Sequence, residues 1–252
     1  MKRTALSLAF IIFCLSFTSA QESDSPDTQL PCYTALQEAV YTTSASFSEV
    51  DELYRAAKEE ASKSFTGEQK LTHLSFCDFA VGMNFYYHGK EDEARDAFDS
   101  GIKNIRAAMK IKETAENTAH YAHLLFHRAS VSSFPYQIRW VPSIPGIAEK
   151  SLKLDPSYVP ALVIKYGFDC LIPWPYGDYK QGVKDMTKLI QSGKVTSKED
   201  DFFISGYTAY ALEQLDRYSE AVSWYKRALE SYPGNIDTEK NLKGAQKKAL
   251  KK

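Results

Sequence analysis

The stretch YSEAVSWYKRALESYPGN, residues 218–235, carries the pattern that decides the fold. Ala221, Tyr225 and Ala228 recur at i, i+4 and i+7, which places their side chains on one face of a helix. Small residues on such a stripe let two helices cross closely, and the tyrosine fills the gap between them. Pro233 then ends the helix. The spacing therefore predicts the second helix of a helical hairpin.

The segment before it, FFISGYTAYALEQL (residues 202–215), supplies the first helix of the hairpin. Ala209 and Leu212 stand at its close-contact and packing positions, and a short turn precedes Tyr218. The whole unit, residues 202–235, resembles a tetratricopeptide repeat (TPR), in which two helices are closed by a proline.

A second unit with the same pattern covers residues 75–108. It departs from the pattern in having Asp78 near its start and no closing proline. Its small, packing and turn positions are Gly82, Phe85, Gly89, Ala94, Phe98 and Gly101.

Three fainter traces extend this array. They are FSEVDELYRAAKEEA, AEKSLKLDPSYVPAL and GDYKQGVKDMTKLI. A single repeat cannot bury its apolar face, so several must stack into one core. We therefore expect an all-α fold over residues 31–252: a TPR-like α-solenoid of about five antiparallel helix pairs. Irregular loops interrupt it, and a lysine-rich helix over residues 238–252 caps it.

The amino terminus has the features of a secretory signal peptide. Residues 1–20 combine a basic start, an apolar run of about 13 residues and a small-residue cleavage site ending at Ala20. The run is short of the ~20 residues of a membrane span. Phe13 precedes Cys14, where lipoprotein processing needs a small side chain, so we expect no lipid anchor. The sequence predicts a periplasmic or secreted protein whose residues 21–30 form a flexible leader.

Composition excludes some partners. The chain has 31 basic and 32 acidic residues, and this balance gives no indication of nucleic-acid binding. Three cysteines follow the predicted cleavage site, and they match no zinc-site spacing. The sequence is compatible with a disulfide between Cys32 and Cys77. It is also compatible with Cys32, Cys77 and Cys170 as three buried, inert thiols.

The order of features also resembles the periplasmic T-component family associated with TRAP (tripartite ATP-independent periplasmic) transporters. The turn LIPWPYGD before a repeat's second helix carries the resemblance. It implies a transport-accessory protein that binds a small apolar ligand or a periplasmic substrate-binding partner.

The TPR resemblance implies which side chains face the concave groove. Repeat positions 2, 5, 9 and 12 of each first helix point into it in this class. In this sequence those positions are Phe76, Phe79, Met83 and Tyr86 in one unit, and Phe203, Gly206, Tyr210 and Glu213 in the other. Such an aromatic groove suits a peptide or an apolar ligand. Alternatively, these rings pack against a capping helix or a loop.

Two loops are rich in aromatic residues and proline. Trp174 and Tyr176 lie in one, and Trp140 lies in the other. Two interpretations are open. In the first, the loops cover a pocket or dock a partner. In the second, their tryptophans fill gaps in the irregular centre of the solenoid.

Three of the five histidines lie in AENTAHYAHLLFHRAS, residues 115–130. On a helical wheel His120, His123 and His127 share one face, opposite an alanine-rich apolar stripe. We therefore predict that they face away from the main core, toward either the groove or solvent. A zinc site would need a further ligand from elsewhere, so we expect no metal.

The sequence contains no phosphate loop, nucleophile elbow or zinc-hydrolase motif, and it predicts neither a catalytic residue nor a cofactor. We expect a non-enzymatic binding protein. The alternatives are an envelope protein–protein scaffold without a ligand and, from another class, a metal- or cysteine-dependent hydrolase. A ligand carrier requires an enclosed, aromatic-lined pocket, whereas a scaffold requires an open groove.

Overall fold

The computed structural model describes residues 30–251, so the predictions for the signal peptide and for residues 21–29 lie outside it. Within this range the chain is helical and contains no strand. Its elements are α1 (Pro31–Tyr41), α2 (Phe47–Ser64), α3 (Gly67–Tyr87), α4 (Glu91–Ile111), α5 (Ala115–Ser130), α6 (Phe134–Trp140), a 3₁₀ turn (Val141–Ser143), α7 (Ile144–Leu154), α8 (Val159–Leu171), α9 (Tyr179–Gln191), α10 (Lys198–Gln214), α11 (Tyr218–Ser231) and α12 (Ile236–Ala249). None of these described helices is both long enough and apolar enough to cross a bilayer.

The helices form five hairpins stacked in order: α1–α2, α3–α4, α5–α7, α8–α9 and α10–α11. The first helix of each hairpin also packs on the first helix of the next, and α12 covers α11. This arrangement confirms the predicted all-α, TPR-like solenoid. The first helices α1, α3, α5, α8 and α10 consequently line its concave side.

Small residues set the distance between the paired helices. Gly82 of α3 lies so close to Phe98 of α4 that a Cβ added to Gly82 would stand 2.4 Å from the phenyl Cε1. The two residues therefore interlock at the position where the sequence pattern placed a small contact residue. Ala94 and Ala221 serve the same purpose in their hairpins and are fully buried.

Asp78, the residue that departs from the repeat pattern, is buried and fully hydrogen-bonded. Its carboxylate accepts hydrogen bonds from Tyr54 Oη at 2.6 Å and Lys58 Nζ at 3.1 Å. Ser100 Oγ and Asn104 Nδ2 donate to its other oxygen at 2.8 and 2.7 Å. Because a buried carboxylate is costly without such partners, Asp78 joins α2, α3 and α4 through polar contacts rather than apolar ones.

Two local predictions differ from the structure. The segment after α5, predicted as an irregular loop, forms α6 and the 3₁₀ turn. The capping helix begins at Ile236, two residues before the predicted start. Asn235 caps it, because the Asn235 side chain accepts a hydrogen bond from the backbone N–H of Thr238 at 2.9 Å.

The solenoid closes on itself, because α1 contacts the last hairpin. Tyr41 packs its ring against Phe202, Phe203 and Tyr232, with centroid separations of 5.6, 5.8 and 4.9 Å. Asn235 Nδ2 donates to the carbonyl oxygen of Tyr41 at 2.8 Å. We call this set of contacts between α1 and the α10–α12 region the closure. It converts the concave groove into the interior of a ring.

Candidate functional site

A cavity of about 570 Å³ lies inside the ring. All five first helices contribute to its wall, and most of the contributing residues lie near their amino-terminal ends. Its volume falls in the range of sites for small organic ligands. The closure narrows this cavity, which remains partly open to solvent.

Aromatic rings form much of the cavity wall. Phe76 and Phe79 project from α3, and Phe203 projects from α10. Phe76 stacks on Tyr33 of α1 at 6.1 Å, and Phe79 lies 6.4 Å from Phe203. The structure therefore brings together predicted groove residues from two hairpins that are more than a hundred residues apart in the sequence.

Helix α5 positions two histidines at the cavity. Its start is held by a capping box, in which Thr114 Oγ1 accepts a hydrogen bond from the Asn117 backbone at 3.2 Å. His120 then packs edge-on against Phe76 at 4.4 Å. His123 lies between Phe79 at 4.5 Å and Phe203 at 4.8 Å. Both imidazoles line the cavity.

His127 lies deeper, behind the cavity wall. Its Nε2 is 3.1 Å from His123 Nε2 and 3.1 Å from the Tyr207 hydroxyl. Its ring is 5.3 Å from that of Phe79. The three polar groups form a small hydrogen-bonded cluster within an aromatic environment.

Of the two predicted surroundings for the histidines, groove and solvent, the structure places His120 and His123 at the cavity and His127 behind its wall. His120 is 8 % exposed and His127 is 6 % exposed, and the opposite apolar stripe of α5 is buried as well. Helix α5 is covered on both faces, because its histidines pack against rings of α3 and α10 while its apolar residues pack against α7 and α8. Solvent exposure is therefore excluded for these two histidines.

Burial keeps the three imidazoles uncharged at neutral pH. It lowers the pKa of His120 and of His127 to about 3. Burial, together with the neighbouring His127, also lowers the pKa of His123 well below its usual value. The imidazoles therefore act as polar aromatic rings in the wall and not as cations. Among residues 30–251, no group of three or more His, Cys, Asp or Glu side chains is arranged to hold a metal ion.

Carboxylates from the first turns of two helices line the cavity. Glu199 and Asp200 occupy the first turn of α10, and Glu116 occupies the first turn of α5. Glu199 accepts hydrogen bonds from Tyr41 Oη at 2.5 Å and Gln37 Nε2 at 2.8 Å. We call the three carboxylates of Glu116, Glu199 and Asp200 the acidic mouth.

Among the carboxylates of the acidic mouth, those of Glu199 and Asp200 are half-buried and that of Glu116 is exposed. Burial, reinforced by the charge of Glu199, raises the pKa of Asp200 to about 7. Burial also raises the pKa of Glu199, and burial together with the charge of Glu68 raises that of Glu116. Lys198, which also lines the cavity, is paired with Glu38 at 2.5 Å.

Several predicted groove residues do not line the cavity. Met83 is buried in the core, and Tyr86 packs against Tyr87 and His127 beyond the cavity wall. Gly206 is in the helix that contributes Phe203 but is not part of the wall. Tyr210 is exposed, and Glu213 accepts hydrogen bonds from Tyr225 and Lys248 on the outside. The groove pattern therefore holds for Phe76, Phe79 and Phe203 and fails further along both helices.

The aromatic loop residues also lie outside the cavity wall. Trp174 is 85 % exposed and Tyr176 is 67 % exposed, so Trp174 neither fills a gap nor covers the cavity. Trp140 is half-buried and packs on the apolar cluster between α5, α7 and α8, as a gap-filling residue does.

Other wall residues were missed by sequence reasoning. Tyr33 belongs to α1, which shows little of the repeat pattern, and Tyr158 directly precedes α8. Glu199 and Asp200 lie in the acidic run KEDD, which is typical of an ordinary helix start. That run was the only available signal, and it does not indicate a cavity.

The three cysteines among residues 30–251 are free thiols, so the structure contains no Cys32–Cys77 disulfide. Burial raises the pKa of the Cys77 thiol to about 12 and also raises that of Cys170. Both thiols are therefore protonated and poorly nucleophilic at neutral pH.

Comparison with known proteins addresses the fold. Neither a protein-family model nor a curated protein sequence matches the chain. Among solved structures, the chain is similar to a thermophilic TPR protein from Thermus thermophilus, with a TM-score of 0.51 and 12 % sequence identity. The similarity covers 78 % of this chain and 90 % of that protein. The chain has a TPR-like α-solenoid fold.

Proposed function

We propose that this protein is a non-enzymatic binding protein that holds a small, largely apolar ligand in its central cavity. The observation that supports this proposal most strongly is the closure between α1 and the last hairpin. It brings α1 against the last hairpin beside a partly open cavity of about 570 Å³ whose wall includes Phe76, Phe79 and Phe203. A cavity narrowed by this closure suits a small ligand better than an extended peptide.

The aromatic wall supports an apolar body for the ligand. Rings from α1, α3 and α10 supply large, rigid contact area, and Val163 and Ile164 of α8 add aliphatic surface. Burying apolar ligand surface against such a wall contributes roughly 25 cal/mol per Å² before the cost of association.

A hydrolase finds less support. The Cys77 and Cys170 thiols are buried and have raised pKa values. The Tyr207 hydroxyl lies 3.1 Å from His127 Nε2, but neither side chain lines the cavity in which a substrate would bind. A binding role accounts for the cavity without any reaction.

Export and a transport-accessory role belong to the same proposal. The signal-peptide features of residues 1–20 support a location outside the cytoplasm. The resemblance to the T-component family supports transfer of the ligand to a substrate-binding partner. Fractionation of cells that produce the full chain tests the location, and co-purification with a substrate-binding protein tests the transfer.

The ligand proposal is tested by uptake of the neutral, apolar fluorescent probe diphenylhexatriene. We expect saturable binding at one site per chain. Thr34 is an exposed residue in the cavity wall, so Thr34→Trp should block uptake without disturbing the core. Lys63→Trp, on the exposed side of α2, is the matched control and should bind like the wild type. Equal uptake by both variants, or no uptake by the wild type, would contradict the proposal.

A further inference from the structure

Two segments of the surface expose large apolar side chains. Phe134 and Ile138 of α6 are 71 % and 59 % exposed. Trp174 and Tyr176, in the segment between α8 and α9, are also largely exposed. Single exposed apolar side chains are ordinary, but a group of them marks an interaction surface. We call the surface formed by these four side chains the apolar end.

Both segments lie at the same end of the solenoid. Helix α6 follows the carboxy-terminal end of α5, and the other segment follows that of α8. As the first helices of successive hairpins, α5 and α8 pack side by side and run in the same direction. In addition, Trp140 at the end of α6 and Ile172 at the start of the other segment pack on one buried cluster, formed by α5, α7 and α8. The two segments are therefore neighbours.

Contacts of α6 with the solenoid leave Phe134 and Ile138 on its outer side. These two residues are four positions apart and share one face of the helix. On the opposite face, Trp140 packs on the buried cluster. Gln137 Nε2 donates to two backbone carbonyl oxygens at and just beyond the end of α5, at 3.2 and 3.1 Å. The exposure of the two apolar side chains is therefore a feature of how α6 is attached.

The two segments carry almost no charge. Within residues 131–148 and 170–177 the only ionised side chain is that of Arg139, although 25 % of the residues in the whole chain are charged. Arg139 is exposed and forms no salt bridge with any residue of the described chain. The flanking carboxylates of Asp169 and Asp178 accept hydrogen bonds from backbone N–H groups around the start of α9. The apolar end therefore has one unpaired positive charge and no carboxylate within its own segments.

The interface of a phospholipid bilayer matches this chemistry. Tryptophan and tyrosine combine an apolar body with a polar tip, and they concentrate at the boundary between headgroups and acyl chains. Phenylalanine and isoleucine bury their side chains just below that boundary. An arginine extends its guanidinium to the phosphates, and a carboxylate at the same place would be repelled by them. The charge of the apolar end is thus complementary to a phosphate surface.

We propose that the apolar end docks this protein on a phospholipid membrane, with its apolar side chains at the headgroup boundary and Arg139 paired with a lipid phosphate. Such docking is peripheral and reversible, because only a few side chains enter the bilayer. The acidic mouth lies in the first turns of α5 and α10, at the opposite end of the solenoid. Docking therefore leaves the cavity accessible, and it does not depend on a ligand there.

Sedimentation with vesicles made of equal parts phosphatidylcholine and phosphatidylglycerol tests the docking. We expect Phe134→Ala/Trp174→Ala to weaken binding about tenfold or more, because two side chains no longer enter the bilayer. The matched control is Ile111→Ala/Leu154→Ala. It removes two exposed apolar side chains at the carboxy-terminal ends of α4 and α7, which lie at the opposite end of the solenoid. This control should bind like the wild type.

The contribution of Arg139 is tested by changing the lipid. Arg139→Gln should weaken binding roughly fivefold on the phosphatidylglycerol-containing vesicles, which is the usual contribution of one basic residue at an anionic surface. On vesicles of phosphatidylcholine alone the loss should be smaller. Equal losses on both lipids would contradict the pairing of Arg139 with the anionic surface.

Insertion itself is measured by quenching of tryptophan fluorescence with brominated phosphatidylcholine. We expect quenching in the wild type and much less in Trp174→Phe, which keeps a ring for docking but removes the exposed fluorophore. This readout separates insertion of the apolar end from adsorption through the apolar run of residues 1–20, because adsorption through that run would leave Trp174 unquenched.

Three results would overturn the proposal. They are the absence of vesicle binding by the wild type, equal binding by the wild type and Phe134→Ala/Trp174→Ala, and unquenched Trp174. If sedimentation without vesicles instead shows a dimer that this double variant loses, the apolar end binds a second copy of the chain and not a membrane. Uptake of diphenylhexatriene, measured without vesicles, should be the same in the double variant and the wild type, so failure of the docking proposal is distinguishable from failure of the ligand proposal.

Discussion

The Tyr41 hydroxyl donates a hydrogen bond of 2.5 Å to Oε1 of Glu199 across 158 residues of sequence. This contact joins the first helix of the solenoid to the start of the last hairpin, at a residue of the cavity wall. We expect Tyr41→Phe to lower the free energy of unfolding by about 1–3 kcal/mol, because a partly buried carboxylate loses a donor. Urea unfolding measures the change. Tyr176→Phe, which alters an exposed hydroxyl, is the control and should have no effect.

The closure also depends on Asn235, whose side chain has two functions. Its Oδ1 caps α12 through Thr238 N, and its Nδ2 binds the Tyr41 carbonyl. Asn235→Ala removes both and should cost about 1–3 kcal/mol. Asn235→Ser keeps a capping oxygen but cannot span to Tyr41, so it should fall between the wild type and the alanine variant. Equal stability of the serine variant and the wild type would mean that the closure contact contributes nothing beyond the cap.

The interlocked pair Gly82 and Phe98 gives a test of helix packing. Gly82→Ala places a methyl group 2.4 Å from the phenyl ring, so we expect a loss of about 1–3 kcal/mol on thermal or urea unfolding. The matched control is Gly206→Ala, at a helical glycine with no described atom within 4 Å of the added Cβ. That change should stabilise the protein by about 0.5–1 kcal/mol. Destabilisation by both variants would contradict the packing argument.

Burial of His127 predicts a pH dependence of stability. The native state keeps this imidazole neutral with a pKa of about 3, whereas the unfolded chain takes up a proton near pH 6.5. Stability from this group is therefore fully present above pH 6.5 and is lost as the pH falls toward 3. The raised pKa values of Glu116, Glu199 and Asp200 act in the opposite direction, so the difference between two proteins is the informative quantity.

His127→Phe removes this titration. Relative to the wild type, the variant should gain about 1.4 kcal/mol per pH unit between pH 6 and 4. Urea unfolding at several pH values measures the gain. A constant difference between the two proteins over this range would show that His127 binds a proton in the native state.

Some of the cavity could be predicted from the sequence. The TPR pattern placed Phe76, Phe79 and Phe203 on the concave side, and the structure places all three in the cavity wall. The same pattern also named Tyr210 and Glu213, which lie outside it. The repeat pattern describes which face of a helix looks inward, but it does not describe where along the helix the interior is filled by neighbouring side chains.

The histidines of α5 also show what a repeat pattern does not predict. The helical wheel correctly grouped His120, His123 and His127 on one face, opposite the apolar stripe. It could not show that α3 and α10 pack on the histidine face while α7 and α8 pack on the apolar face. A periodicity assigns side chains to faces, whereas burial depends on which elements pack against those faces.

The sequence by itself determined the helical hairpins, because close helix packing needs small residues, aromatic fillers and turn residues at local, periodic positions. Only the tertiary structure decided that the solenoid closes and that an acidic, aromatic cavity results. Closure sums the small rotation between successive hairpins over the whole chain and is secured by contacts such as Tyr41 with Glu199. Neither the sum nor a contact between residues so far apart leaves a local pattern in the amino-acid sequence.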